Sequence, residues 1–299
     1  MIDLKPWGEL NHGKKEGANV CIMAVPFDGA VSCGKGAALG PEVMRGLSRY
    51  LPATTEEGKT IRNIKIYDAP DVEFDLDWVR YYKKIEEEAT ELFHTDKFCF
   101  FLGGDHSVTI PLQKSFHEKY NGKKIGIIHF DSHADICDEY DSHKWSHACT
   151  ERRALEDIVK PSEIAFLGLR SWEQEELDYF RANPECLVIK AYDVFKEGYL
   201  AAYKKLETRF KDFDAIYFSL DIDVLDPAYA PGTGTPEAGG LSSRELIELT
   251  KLILRNLPIK AMDLVEVSPP LDAVNNITSW AALKVMYEVF GCLDEKYER

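Results

Sequence analysis

The chain of 299 residues carries 36 Lys and Arg against 51 Asp and Glu, a net charge of −15 at pH 7, and is 45% hydrophobic and 11% aromatic. That apolar content excludes wholesale disorder, and the acidic balance repels nucleic-acid phosphates and anionic membrane surfaces while suiting small cationic molecules. The seven cysteines include no CxxC pair, no stretch approaches the roughly 20 apolar residues of a bilayer span, and Met1-Ile2-Asp3-Leu4-Lys5-Pro6 lacks the apolar core of a signal peptide, so a cytoplasmic chain without membrane or nucleic-acid partners is expected.

Eight short apolar runs follow one another, at residues 20–25, 64–67, 98–102, 125–130, 164–169, 187–189, 215–220 and 259–267. Helix-like amphipathic stretches lie between or after them, among them 41–51, 77–94, 241–256 and 279–290. The first opens at Gly40-Pro41, where proline's fixed φ suits a helix start. Such alternation predicts a parallel sheet with crossover helices. No internal repeat, low-complexity tract or Ser/Gly linker breaks it, so residues 1–299 are expected to form one doubly wound α/β domain. Ligands of such sheets bind beyond the carboxyl ends of the strands, which directs attention to the polar residues after each run.

Three runs end in His or Asp. Residues 98–102 lead into Gly103-Gly104-Asp105-His106-Ser107, residues 125–130 into Asp131-Ser132-His133-Ala134-Asp135, and residues 215–220 into Asp221-Ile222-Asp223. The i, i+2, i+4 spacing of Asp131, His133 and Asp135, and the i, i+2 spacing of Asp221 and Asp223, put each set on one side of an extended backbone. Any one of these residues taken alone reads as a turn or helix cap. Together, emerging from buried runs, they would repel and desolvate one another unless cations sat between them. His106, after a Gly-Gly pair expected to let the backbone turn sharply, completes six candidate ligands. Their four carboxylates balance two divalent cations, and an oxygen-rich set favours Mn²⁺ while leaving Zn²⁺, Co²⁺ and Ni²⁺ open. Two such cations roughly 3.5–4 Å apart acidify a bridging water, which points to hydrolysis.

These segments, with Ser219 and the run Leu220 to Pro227, resemble the signatures of the ureohydrolase family, the arginases, agmatinases and their relatives. The similarity extends from Val25-Pro26-Phe27-Asp28-Gly29 to Val265-Glu266-Val267-Ser268-Pro269-Pro270, and residues 230–241 are most similar to the agmatinase branch. The resemblance implies a three-layer α/β/α fold with an eight-stranded parallel sheet, of the arginase and deacetylase type. It also implies two Mn²⁺ held by His106, Asp131, His133, Asp135, Asp221 and Asp223, and a homo-oligomer, commonly a trimer or hexamer. Glu266 matches the family's acidic residue for the substrate guanidinium, for which a carboxylate is suited because it accepts two parallel N–H bonds. His147 matches the proton-shuttling histidine, although the family's His-Gly-Thr reads His147-Ala148-Cys149 here, and His143 is a neighbouring alternative. Asp68-Ala69-Pro70-Asp71-Val72 also departs from the family and is taken as structural, Cys137 receives no catalytic role, and Gly232 to Gly240 reads as an active-site loop without nucleotide-binding spacing.

The expected reaction is hydrolysis of a guanidinium C–N bond. Hydroxide between the metals attacks the central carbon, the metals and Asp135 stabilise the tetrahedral intermediate, and His147 helps protonate the departing amine. Asp138, Glu139 and Asp141 against Lys144 would favour a distal ammonium over an α-carboxylate, hence agmatine, giving putrescine and urea as a step of polyamine biosynthesis. The alternatives are arginase or another guanidino hydrolase such as guanidinobutyrase, a single-zinc deacylase, which the six-ligand set disfavours, and a non-catalytic binder, from which a ligand would be missing.

Overall fold

The computed structural model describes residues 5–298. Its strands and helices in chain order are β1 (Val20–Val25), α1 (Gly40–Ser48), β2 (Ile66–Asp68), α2 (Trp78–Phe93), β3 (Phe98–Gly103), α3 (Thr109–Lys119), β4 (Ile125–Phe130), α4 (Thr150–Asp157), β5 (Ile164–Leu169), α5 (Gln174–Ala182), β6 (Leu187–Lys190), α6 (Ala191–Glu197), α7 (Tyr199–Phe210), β7 (Ala215–Asp221), α8 (Ser243–Asn256), β8 (Ile259–Val265) and α9 (Ile277–Tyr297). Each predicted apolar run overlaps a strand. All pair in parallel, in one eight-stranded sheet of order β2-β1-β3-β8-β7-β4-β5-β6.

The two-residue period of the strands creates the three layers, because alternate side chains of a pleated strand face opposite ways. In β1, Val20, Ile22 and Ala24 join one buried cluster while Cys21, Met23 and Val25 join the other. The first cluster is covered by apolar side chains of α1, α6, α7, α8 and α9, the second by those of α2, α3 and α4. Strands buried on both faces must be almost wholly apolar, which is why they read as continuous runs.

Helix boundaries follow their caps. Asp77 accepts from Arg80 N at the start of α2, and Ser242 with Glu245 forms a reciprocal capping box that starts α8 two residues later than its apolar pattern suggests. α9 runs beyond the predicted 279–290 at both ends. β8 stops at Val265 although the apolar run continues to Val267, because Glu266 adopts a left-handed φ of 61°. Asp68 and Asp71 are structural, as expected: Arg45 pairs with both, and Trp7 Nε1 donates to Asp68 at 2.7 Å.

The role of Gly103-Gly104 differs from expectation. Neither residue has a positive φ; both are required by close approach. A Cβ on Gly103 would lie 2.4 Å from Val265 Cγ1, and one on Gly104 would lie 1.7 Å from the carbonyl oxygen of Phe27. Backbone against backbone cannot yield as a flexible side chain can, so Gly104→Ala is expected to cost at least the roughly 1–3 kcal/mol of an overpacked core. Urea denaturation checks this, and a midpoint equal to that of the unmutated protein would show that the loop relaxes freely.

Candidate metal centre and active-site cleft

The ends of β3, β8, β7 and β4 are consecutive neighbours in the sheet. Since parallel strands lie about 4.8 Å apart, residues just beyond these four ends must meet. His106 Nδ1 lies 2.9 Å from Asp131 Oδ2, 3.1 Å from Asp135 Oδ2 and 3.3 Å from Asp221 Oδ2. His133 Nδ1 lies 3.2 Å from Asp223 Oδ2 and 3.4 Å from Asp131 Oδ1. All six residues singled out in the sequence therefore converge, in two groups that share Asp131, one oxygen to each.

The chain steadies three of these carboxylates by N–H or O–H groups on one oxygen. Asp131 Oδ1 accepts from His133 N at 2.6 Å, Asp221 Oδ1 from Asp223 N at 2.7 Å, and Asp223 Oδ1 from Ser132 N and Oγ at 3.0 and 2.8 Å. Asp135 reaches in from a left-handed backbone with φ 54°, an uncommon conformation for a residue with a side chain. Ser219 Oγ donates to Asp263 Oδ1 at 2.8 Å, so it accepts from His106 Nε2, also at 2.8 Å, and turns the lone pair of Nδ1 toward the carboxylates.

The electrostatics call for cations. Burial, with Asp223 and Asp131 alongside, raises the Asp221 carboxyl well above the ordinary range, and burial and Asp131 raise Asp223. Burial also disfavours charge on His106, but the surrounding carboxylates outweigh it and push its pKa up. His106 Nδ1 and Asp131 Oδ2 are buried without a hydrogen-bond partner, the state of ligand atoms aimed at a cation. Four carboxylates and two imidazoles thus fit a pair of divalent ions.

The rim is built from β8 and the segment before α4. Glu266 is buried, and its Oε1 accepts from His106 N at 2.9 Å and from His147 Nδ1 at 3.2 Å. With Oε1 engaged twice, Oε2 is the oxygen left for a ligand. His147 Nε2 faces Ser32 N at 3.0 Å and Ser32 Oγ at 2.9 Å, so it can accept from one when neutral and donate to the other when charged. Burial opposes the cation, yet the hydrogen bond and charge of Glu266 raise His147 to about 9. His143 is placed elsewhere: its ring packs on Trp78 at 4.5 Å and its Nδ1 accepts from Trp145 N.

A cleft of about 400 Å³ opens above Asp131, His133, Asp135 and Asp221. Its outer wall corrects one expectation. Asp138, Glu139 and Asp141 do not line it, and Asp138 is turned toward Arg153 at 3.1 Å and Lys144 at 3.3 Å. The acids that line it are Glu173, Glu176 and Glu237, and among the described residues the lining holds no Lys or Arg. Cys137 also lines it, but burial pushes its thiol pKa up, consistent with an inert role.

Sequence reading also missed Arg170, His129 and Glu151. Arg170 donates to the carbonyls of Gly168, Asp223, Val224, Leu225 and Glu237 and rivets the loop after β7 to the end of β5. An imidazole inside the apolar run of β4 was the readable signal for His129; nothing local marked Arg170 or Glu151. A site that needs counter-ions predicts a protein stabilised by them. Chelator-stripped protein should melt lower than protein loaded with Mn²⁺, with two ions bound per chain by elemental analysis. Identical melting with and without metal would remove the centre.

The chain is similar to known proteins over most of its length. The model of the Arginase family matches residues 18–291. The chain is 35% identical over 285 residues to the agmatinase of Bacillus cereus, with 93% of each chain covered. Among solved structures it resembles the agmatine ureohydrolase of Thermoplasma volcanium at a TM-score of 0.87 and 28% identity, covering 100% of this chain and 97% of that one. It resembles a hypothetical agmatinase from Burkholderia thailandensis at a TM-score of 0.88 and 29% identity, covering 99% and 92%. The match spans the strand-end segments that carry the site, and so the chain belongs to the arginase family, the ureohydrolases, as a hydrolase of C–N bonds.

Proposed function

We propose that this protein is an agmatinase that cleaves agmatine to putrescine and urea, with two Mn²⁺ held by His106, Asp131, His133 and Asp135 together with Asp221 and Asp223. The observation that carries the reading is the cleft itself, which has clustered candidate cation ligands at its floor, His147, the partner of Glu266, in its lining and only acidic charge on its outer wall. The metal pair supplies Lewis acidity and an activated water when bound. The chain's own residues do the rest.

Glu266 Oε2 accepts from the guanidinium and orients its central carbon over the metal floor, and the Asp135 carboxylate stands beside that carbon. His147, charged near neutral pH, holds the proton that the departing amine requires. The tail of the substrate extends toward Glu173, Glu176 and Glu237. An ammonium there meets opposite charge, whereas the α-carboxylate of arginine meets like charge in a partly desolvated cleft. The names of the relatives support the same choice.

Urea release with Mn²⁺ across agmatine, arginine and 4-guanidinobutyrate tests the reading, with agmatine expected to lead; a preference for arginine would overturn the tail assignment. Glu266→Gln keeps the shape and removes the charge, and kcat/KM should fall about ten- to a hundredfold or more, given roughly 1.5–3 kcal/mol for a charged hydrogen bond, with both metals retained.

Glu176 gives a pH signature. Burial raises it to about 7, so it is neutral below that pH and anionic above it. The KM for agmatine should therefore fall as pH rises through 7. Glu176→Gln should flatten that change and, combined with Glu237→Gln, narrow the lead of agmatine over arginine. An unaltered pH profile in the single variant would show that Glu176 does not face the tail.

A further inference from the structure

Beneath the metal floor lies a pair of ionisable side chains that the reaction above does not use. His129, inside β4, and Glu151, in the first turn of α4, are both fully buried, and His129 Nδ1 stands 3.1 Å from Glu151 Oε1. The other ring nitrogen, Nε2, stands 3.3 Å from Asp131 Oδ2 and 3.2 Å from the carbonyl oxygen of His133. The ring itself lies parallel to that of His106, with centroids 5.0 Å apart and planes within 9°. One imidazole thus touches three of the six candidate ligands.

Nδ1 of His129 faces the Glu151 carboxylate and Nε2 the His133 carbonyl, so the ring can serve as a two-ended donor behind the ligand groups. Glu151 is itself held from two sides. Gln113 Nε2 donates to its Oε1 at 2.9 Å, and its backbone N–H donates to the carbonyl of Asp135, a fourth candidate ligand, at 2.9 Å. Burying this ion pair is costly and contributes little to folding in general, because desolvation offsets the attraction. A hydrophobic pair would fill the same space; it could not hold the His133 carbonyl by hydrogen bond while setting a polar ring nitrogen 3.3 Å from Asp131 Oδ2.

We propose that Glu151 and His129 are positioning residues, a buried carboxylate–imidazole pair that fixes the Asp131 carboxylate in the orientation that serves both cations. Asp131 is the residue with one oxygen in each ligand group, so a small rotation of it would disturb both positions at once. The inference rests on the two-metal reading above.

The test is Mn²⁺ titration calorimetry on chelator-stripped protein, with melting of the same metal-free samples recorded in parallel. Glu151→Ala, which frees the ring, should weaken Mn²⁺ binding about ten- to a hundredfold, as loss of a partner behind a metal ligand commonly does. Glu151→Gln, which keeps an acceptor for His129, should recover part of that loss, and kcat should fall with KM nearly constant because the cleft wall is untouched. Gln113→Met is the milder variant if the others do not fold, and a several-fold weakening is expected. If these variants lower the melting temperature of the metal-free protein but bind Mn²⁺ as tightly as the unmutated chain, the pair is merely structural and the proposal fails. If the unmutated chain binds no Mn²⁺, the two-metal reading fails first and takes the proposal with it.

Discussion

The mutual repulsion of four buried aspartates is the constraint on which the rest of this structure depends. Asp131, Asp135, Asp221 and Asp223 are each almost wholly withdrawn from water, and their oxygens approach the same two imidazoles within about 3.5 Å. In a medium of low polarisability such a set cannot all be ionised without cations among them. The surroundings are arranged to make that tolerable, with backbone N–H groups on one oxygen of Asp131, Asp221 and Asp223, and Ser219 and Asp263 behind His106.

The sheet is what brings these residues together. Parallel strands align their carboxyl ends, and the order β3-β8-β7-β4 makes four donor-bearing ends adjacent although their order in the chain is different. Two backbone conformations that cost energy, at Asp135 and Glu266, lie at these ends. In both cases a residue with a side chain stands where glycine would be easier, and that side chain packs against His106 or its backbone N–H. The close approach at Gly104 lets the loop after β1 lie against the end of β3, and that loop carries Ser32 to His147, while Gly103 makes room for Val265 of β8.

Outside the metal floor, charge is sorted by compensation. Asp138 is acidic in sequence and nearly neutralised in space by Arg153 and Lys144, while Glu237 sits in a loop whose carbonyls Arg170 holds. Arg170 shows how a guanidinium can serve a site through backbone alone, since its donors are distributed over carbonyls of the segment that carries Asp223, that of Asp223 included. The field of the cleft therefore depends on which acids face it, not on how many a loop contains.

The sequence by itself determined the strands, the three-layer arrangement and the six candidate ligands that converge at the strand ends. Strands buried on both faces must be apolar throughout, and ligands that leave a strand end together must be closely spaced in the chain, so both are local signals. It also favoured His147 over His143 and marked Glu266, through similarity to a family. Only the tertiary structure decided that His129 and Glu151 meet, that Glu173, Glu176 and Glu237 form the outer wall, and that Asp138 is turned away. Periodicity reports which face a residue takes but not which element lies opposite it, and a charge acts according to neighbours that are 15 to 67 residues distant in the chain, as for Asp138 with Arg153 and Arg170 with Glu237.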